Sequence, residues 1–139
     1  MLSSRVVYVQ GLQFVGETSS GHAVIMDGDT EVGGSNTGPR PMELLLLGIG
    51  GCSGMDIISI LRKKKQDVKG LMINIKGEKA DKYPKRFTDI DLEFVIKGKN
   101  ISEEAVKRAL DLSMNKYCSV KATLEGSAKI TFTYKIIQE

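Results

Sequence analysis

Cys52 and Cys118 are the only two thiols in a chain of 139 residues, and they are the side chains best able to do chemistry. Cys52 lies in Gly48-Ile49-Gly50-Gly51-Cys52-Ser53-Gly54-Met55-Asp56, an apolar stretch laced with glycine. A thiol in such a setting is either inert packing, since free cysteine behaves as a small hydrophobe, or a nucleophile. The second role needs a neighbour that favours the thiolate. Asp56, four residues on and so on the same helical face, would act in the opposite sense, because a nearby negative charge raises a thiol's pKa. Cys118 follows 66 residues later. The two could form a transient disulfide if their Cα atoms came within about 7 Å, a distance that spacing leaves open.

Other chemistries have less support. There is one histidine, His22, and no Cys-x-x-Cys, which argues against a zinc site. The loop Gly33-Gly34-Ser35-Asn36-Thr37-Gly38-Pro39 is glycine-rich, as phosphate-binding loops are, but it lacks the Lys-Ser/Thr ending of a P-loop and the Rossmann spacing. No nucleophile-elbow pattern is present. The net charge is only +3, and the one basic run, Arg62-Lys63-Lys64-Lys65, follows an apolar helix, where cations complement the macrodipole. We therefore expect no nucleic-acid or membrane partner. Met1-Leu2-Ser3-Ser4-Arg5 has no secretory pattern and no uninterrupted apolar run reaches the roughly 18 residues of a membrane span. The expected location is the cytoplasm, where structural disulfides are rare.

The elements that must position the thiols read as follows. Residues 5–15 form a strand and 22–26 a second one, joined by turn chemistry at Gly16–Gly21 as an N-terminal hairpin. Pro41 suits the first turn of a helix running to about residue 66. That helix is apolar on nearly every face, so something must wrap it on all sides; a sheet can cover one face and a second subunit another. Residues 71–79 and 87–97 alternate as strands. Ser102 is placed to cap a second, amphipathic helix ending near Tyr117-Cys118, and 127–137 is a final strand. The order β-β-α-β-β-α-β over one domain, 1–139, defines an α+β fold.

Pro41-Met42-Glu43-Leu44, Gly50-Gly51-Cys52, Ser59-Ile60-Leu61 and Tyr117-Cys118-Ser119-Val120 together resemble the OsmC/Ohr family of osmotically inducible and organic-hydroperoxide-resistance proteins. The likeness spans essentially the whole chain. It implies an intertwined homodimer, with sheets wrapped around central helices and the hairpin of about 5–27 packing on the partner. It also implies a cofactor-free peroxidase cycle. Cys52 would attack an organic hydroperoxide and become a sulfenic acid, Cys118 would resolve it as a disulfide, and an external dithiol of the lipoyl type would reset the pair.

The chain departs from the family's peroxidases in two places. They carry Glu directly after the Pro, where this chain has Met42 with Glu43 next, and they supply an activating Arg from the hairpin region. The Glu17–His22 turn has no Arg, which leaves His22 and Arg40 as the candidate substitutes. Glu43 is nine residues before Cys52. At about 100° per residue the two lie on opposite faces of an unbroken helix. A second expectation therefore stands beside the peroxidase: a non-catalytic binder of an apolar acyl-type ligand, or a thiol redox sensor, on the same fold.

Overall fold

The structure, a computed structural model, describes residues 1–139 and divides into two compact units, Met1–Leu45 and Leu46–Glu139. The α+β class expected from the sequence is present.

In the first unit, β1 (Ser4–Gln10), β2 (Gln13–Thr18) and β3 (Ala23–Met26) form an antiparallel sheet in that order. The segment expected as one strand over 5–15 is two. The chain reverses at Gly11, whose φ of +56° lies in the left-handed region that glycine tolerates. The hairpin is thus a three-stranded meander, with Val7 opposite Val15 and Val15 opposite Ile25. Its strands remain open: Val6 is 58% and Tyr8 59% exposed, and Val24 and Ile25 are exposed as well.

The loop between β3 and the first helix is organised by one carboxylate. Asp27 is buried, and it accepts hydrogen bonds from the N–H groups of Gly28, Ser35 and Thr37 and from the Thr37 hydroxyl at 2.6 Å. The Thr37 hydroxyl is the foremost influence holding Asp27 down to about 2, with the backbone donors adding to it against the cost of burial.

Helix α1 (Pro41–Lys63) is one continuous element. Within the second unit its buried positions are Ile49, Gly50, Ser53, Ile57 and Leu61, a single stripe. The opposite side is bare, with Leu47 63% and Met55 77% exposed. By length and apolar content alone α1 could cross a membrane, a property that the core helix of a globular protein shares. Ile49, Ile57 and Leu61 are nonetheless completely covered by the chain itself, as in the core helix of a globular unit.

Strands β4 (Asp67–Lys79), β5 (Phe87–Lys99) and β6 (Lys129–Gln138) form the second sheet, with β5 central, antiparallel to β4 and parallel to β6. The register aligns Ile75 with Leu92 and Phe132, and Ile73 with Phe94 and Tyr134. These residues share one face, onto which the helices pack. A Cβ at Gly54 would meet the Ile73 side chain at 3.0 Å, and one at Gly50 would collide with Ile75, so both glycines let α1 lie close on β4. The other face is polar, with Glu93 linked to Asn74 and Lys135. Alternation of period two separates the faces.

The parallel β5–β6 pair requires a crossover, supplied by α2 (Glu103–Leu112) and α3 (Ser119–Leu124). Ser102 caps α2 through its Oγ and the Ala105 N–H, as expected. Between the helices Ser113–Tyr117 is a π-helical turn. Neither it nor α3 was anticipated.

The depressed pKa of Asp27 fixes a sign. A carboxylate held near 2 when folded and near 3.8 otherwise stabilises the fold above pH 3.8, and that contribution disappears as pH falls through 2. Asp27→Asn is expected to lower the melting temperature at neutral pH and to flatten its decline over that acid window, measured by circular dichroism.

Candidate active site

Cys52 and Asp56 sit one turn apart on α1, and both are half-buried. Cys118 arrives from the far end of the crossover. The π turn ends with the Cys118 N–H donating to the Ser113 carbonyl at 2.8 Å, after which the backbone extends at φ −71°, ψ 99° and α3 begins. This geometry turns the Cys118 side chain inward, leaving the residue 4% exposed. The two sulfurs and a carboxylate oxygen of Asp56 all lie within 4.8 Å of one another. Residues 66 apart in the sequence thus share one cluster. Both cysteines are free thiols.

The surroundings of the thiols are specific. The N–H of Lys121 donates to Cys118 Sγ at 3.4 Å. The hydroxyl of the fully buried Ser113 donates to Asp56 Oδ2 at 3.0 Å, fixing the carboxylate beside the sulfurs. Burial pushes the Cys118 thiol up to about 11; the Cys52 thiol and the Asp56 charge add to the rise, and the Lys121 N–H opposes it. Cys118 therefore rests as a neutral thiol at physiological pH.

The three supporting candidates have partners in the first unit. Glu43 Oε1 accepts from the Arg40 N–H at 2.7 Å, closing the reciprocal half of a capping box at the start of α1. The Arg40 guanidinium donates to Asn36 Oδ1 and the Gly38 carbonyl and pairs with Asp29 at 3.5 Å. His22 Nδ1 is 3.2 Å from Ser20 Oγ on an exposed turn. Helix α1 has no break between Glu43 and Cys52.

Ser113 was not among the candidates read from the sequence. A hydroxyl at a core position of an amphipathic helix was the available signal, since buried hydroxyls need partners.

A second sheet covered on one face by a long glycine-bearing helix, with a cysteine from that helix meeting one from the crossover, defines a thiol-bearing α+β protein. The chain matches the family profile described as OsmC-like protein over residues 34–133. It is 41% identical over 136 residues to Protein YhfA of Escherichia coli K12, covering 98% of each. It also resembles the solved structure of a hypothetical protein from Aquifex aeolicus VF5, at 34% identity and TM-score 0.82, covering 99% of this chain and 98% of that one. A further solved structure, an organic hydroperoxide resistance protein OsmC from Legionella pneumophila, shares the fold at 14% identity and TM-score 0.72, covering 97% and 96%. The chain belongs to the OsmC-like family.

The raised Cys118 pKa can be read directly. In Cys52→Ser, which leaves one thiol, the alkylation rate of Cys118 is expected to keep climbing above pH 9, the ordinary thiol value, because burial persists. Adding Asp56→Asn removes a negative charge and should move the titration downward. A rate that levels off by about pH 8.5, as for a free cysteine, would contradict the burial account.

Proposed function

We propose that the chain is a thiol peroxidase that reduces organic hydroperoxides in oxidative-stress defence, with Cys52 as nucleophile and Cys118 as resolving thiol. The observation that carries this reading is the meeting of the two sulfurs within 4.8 Å. In the first step the Cys52 thiolate attacks the outer peroxide oxygen and the O–O bond breaks. The alkoxide takes a proton and leaves as the alcohol, and Cys52 becomes a sulfenic acid. Cys118 then gives up its proton, its sulfur attacks that of Cys52, and the hydroxyl departs as water, leaving a disulfide. An external dithiol exchanges with the disulfide and carries away both oxidising equivalents.

Cys52 is the better nucleophile of the pair because it is half-buried, whereas Cys118 is closed off and held protonated. Cys118 needs no access to substrate, only to Cys52. Glu43, Arg40 and His22 have structural partners of their own, so no step is assigned to them. The apolar residues beside Cys52 on α1 favour a hydrophobic peroxide over hydrogen peroxide.

A homodimer is part of the same proposal. An open groove of about 920 Å³ runs along α1 and β4, walled by Leu47, Met55, Ile58, Leu71, Ile73 and Ile75. Such a groove is more apolar surface than a lone subunit ordinarily leaves to water, and the strands of the first sheet are exposed as well. A second copy of the chain is the occupant, as the family resemblance implies.

Asp56 favours a second reading. A carboxylate among the thiols opposes thiolate formation, which suits a redox sensor or a binder of an apolar acyl-type ligand.

Turnover of cumene hydroperoxide with a dithiol separates the two. Wild-type protein is expected to turn over, Cys52→Ser to lose roughly 10³-fold or more, and Cys118→Ser to stop after one cycle with a sulfenic acid that dimedone traps. Undiminished turnover in Cys52→Ser removes the nucleophile assignment. For the dimer, sedimentation equilibrium at micromolar concentration should give twice the 15.2 kDa chain mass; a folded monomer would count against it.

A further inference from the structure

The cluster of Cys52, Asp56 and Cys118 contains more than a thiol pair needs. A disulfide cycle uses two sulfurs, yet a third donor, the Asp56 carboxylate, is brought within 4.8 Å of both. We propose that Cys52, Asp56 and Cys118 form a binding site for a thiophilic divalent cation of the zinc class, held by two thiolates and one carboxylate, with a fourth position left to water. This goes beyond the peroxidase reading and does not require it.

Four features support the site. The donor set is chemically apt, since thiolate sulfur and carboxylate oxygen are both ordinary zinc ligands. The spacing is close to what coordination demands: ligands about 2.3 Å from a tetrahedral ion stand ~3.8 Å from each other, so the cluster needs to contract by about one ångström or less, within the reach of side-chain rotation. The carboxylate is oriented from behind by the Ser113 hydroxyl on Oδ2, which leaves Oδ1 free, and the Lys121 N–H already donates to Cys118 Sγ. Such outer contacts are the usual supports of metal ligands. Finally, Asp56 also lines a cavity of about 420 Å³ that includes Ser59, Leu112 and Tyr117, which offers a route for the ion and room for a water ligand. Lys63 and Lys64 line that cavity too and weaken the long-range attraction for a cation, but neither forms an ion pair with Asp56.

The sequence argued against zinc because no local ligand motif is present. Here two donors come from one turn of α1 and the third from a distant crossover, so only the fold assembles them. An ion on both sulfurs would also block their oxidation, so metal binding and hydroperoxide turnover would exclude each other.

The test is an anaerobic titration of the reduced full-length protein with Co²⁺, followed by displacement with Zn²⁺. Wild-type protein is expected to bind one cobalt per chain with the intense visible bands of a tetrahedral ion and thiolate charge-transfer absorption, both lost on adding Zn²⁺. Asp56→Ala should weaken binding about 10- to 100-fold or more, and Ser113→Ala by a similar factor through the freed carboxylate. Asp56→Asn, which keeps a partner for Ser113, guards against misfolding and should weaken binding likewise. Cys118→Ser should lose the charge-transfer absorption of a two-thiolate site. An octahedral cobalt spectrum in the wild type overturns the proposal, as does undiminished, wild-type affinity in both Asp56→Ala and Asp56→Asn. Hydroperoxide turnover, measured on the same proteins in chelator, keeps the two readings apart. Turnover without cobalt binding overturns the metal site alone, whereas cobalt binding without turnover supports the site and removes the peroxidase.

Discussion

The close approach of α1 to β4 is the constraint on which the second unit depends. Gly50 and Gly54 carry no side chain where Ile75 and Ile73 press against the helix. Glycine in a helix interior costs about 1 kcal/mol relative to alanine, and the chain accepts that cost twice within one turn. In return α1 settles on the sheet with Ile49, Ile57 and Leu61 fully covered. The seating of α1 in turn fixes the direction in which Cys52 and Asp56 project. A helix raised from the sheet by two methyl groups would carry both away from the crossover that supplies Cys118.

Much of this architecture was legible in the sequence because its signals are periodic. Alternation in Leu71-Met72-Ile73-Asn74-Ile75 and Ile90–Ile96 marked the strands, Pro41 marked the start of α1, and Ser102 marked that of α2. Features that break no pattern were invisible. Apolar residues lie on both sides of Gly11, from Val6–Val9 to Leu12, Phe14 and Val15, so the turn between β1 and β2 read as uninterrupted strand. The π turn begins where α2 would simply have continued, and α3 is only six residues long, too short for helical periodicity to register.

The site shows the same division. Both cysteines stood out by rarity, and Asp56 by its place one turn beyond Cys52. What spacing could not contain was the convergence of all three, which depends on where a 66-residue excursion of chain returns. Ser113 was the least visible, because its role exists only in relation to Asp56. The first-unit candidates show the converse: Glu43 and Arg40 stood out in the sequence, and the structure gives them capping and loop contacts. A carboxylate that neighbours both sulfurs gives this site a character unlike one activated by a cation. It adds to the burial that keeps Cys118 protonated.

The parallel pairing of β5 with β6 has a consequence for how the chain is made. Strand β5 is the centre of its sheet, yet one of its edges is satisfied by Lys129–Gln138, a strand that lies beyond the whole helical crossover. During synthesis the apolar residues Leu92, Phe94 and Ile96 emerge some forty residues before the strand that pairs beside them. Until Lys129–Gln138 has been made, β5 can hydrogen-bond only to β4, and its other edge is open to any extended peptide nearby. Completion of the sheet is therefore a non-local event, and loss of β6 would expose the central strand of the sheet rather than trim its margin.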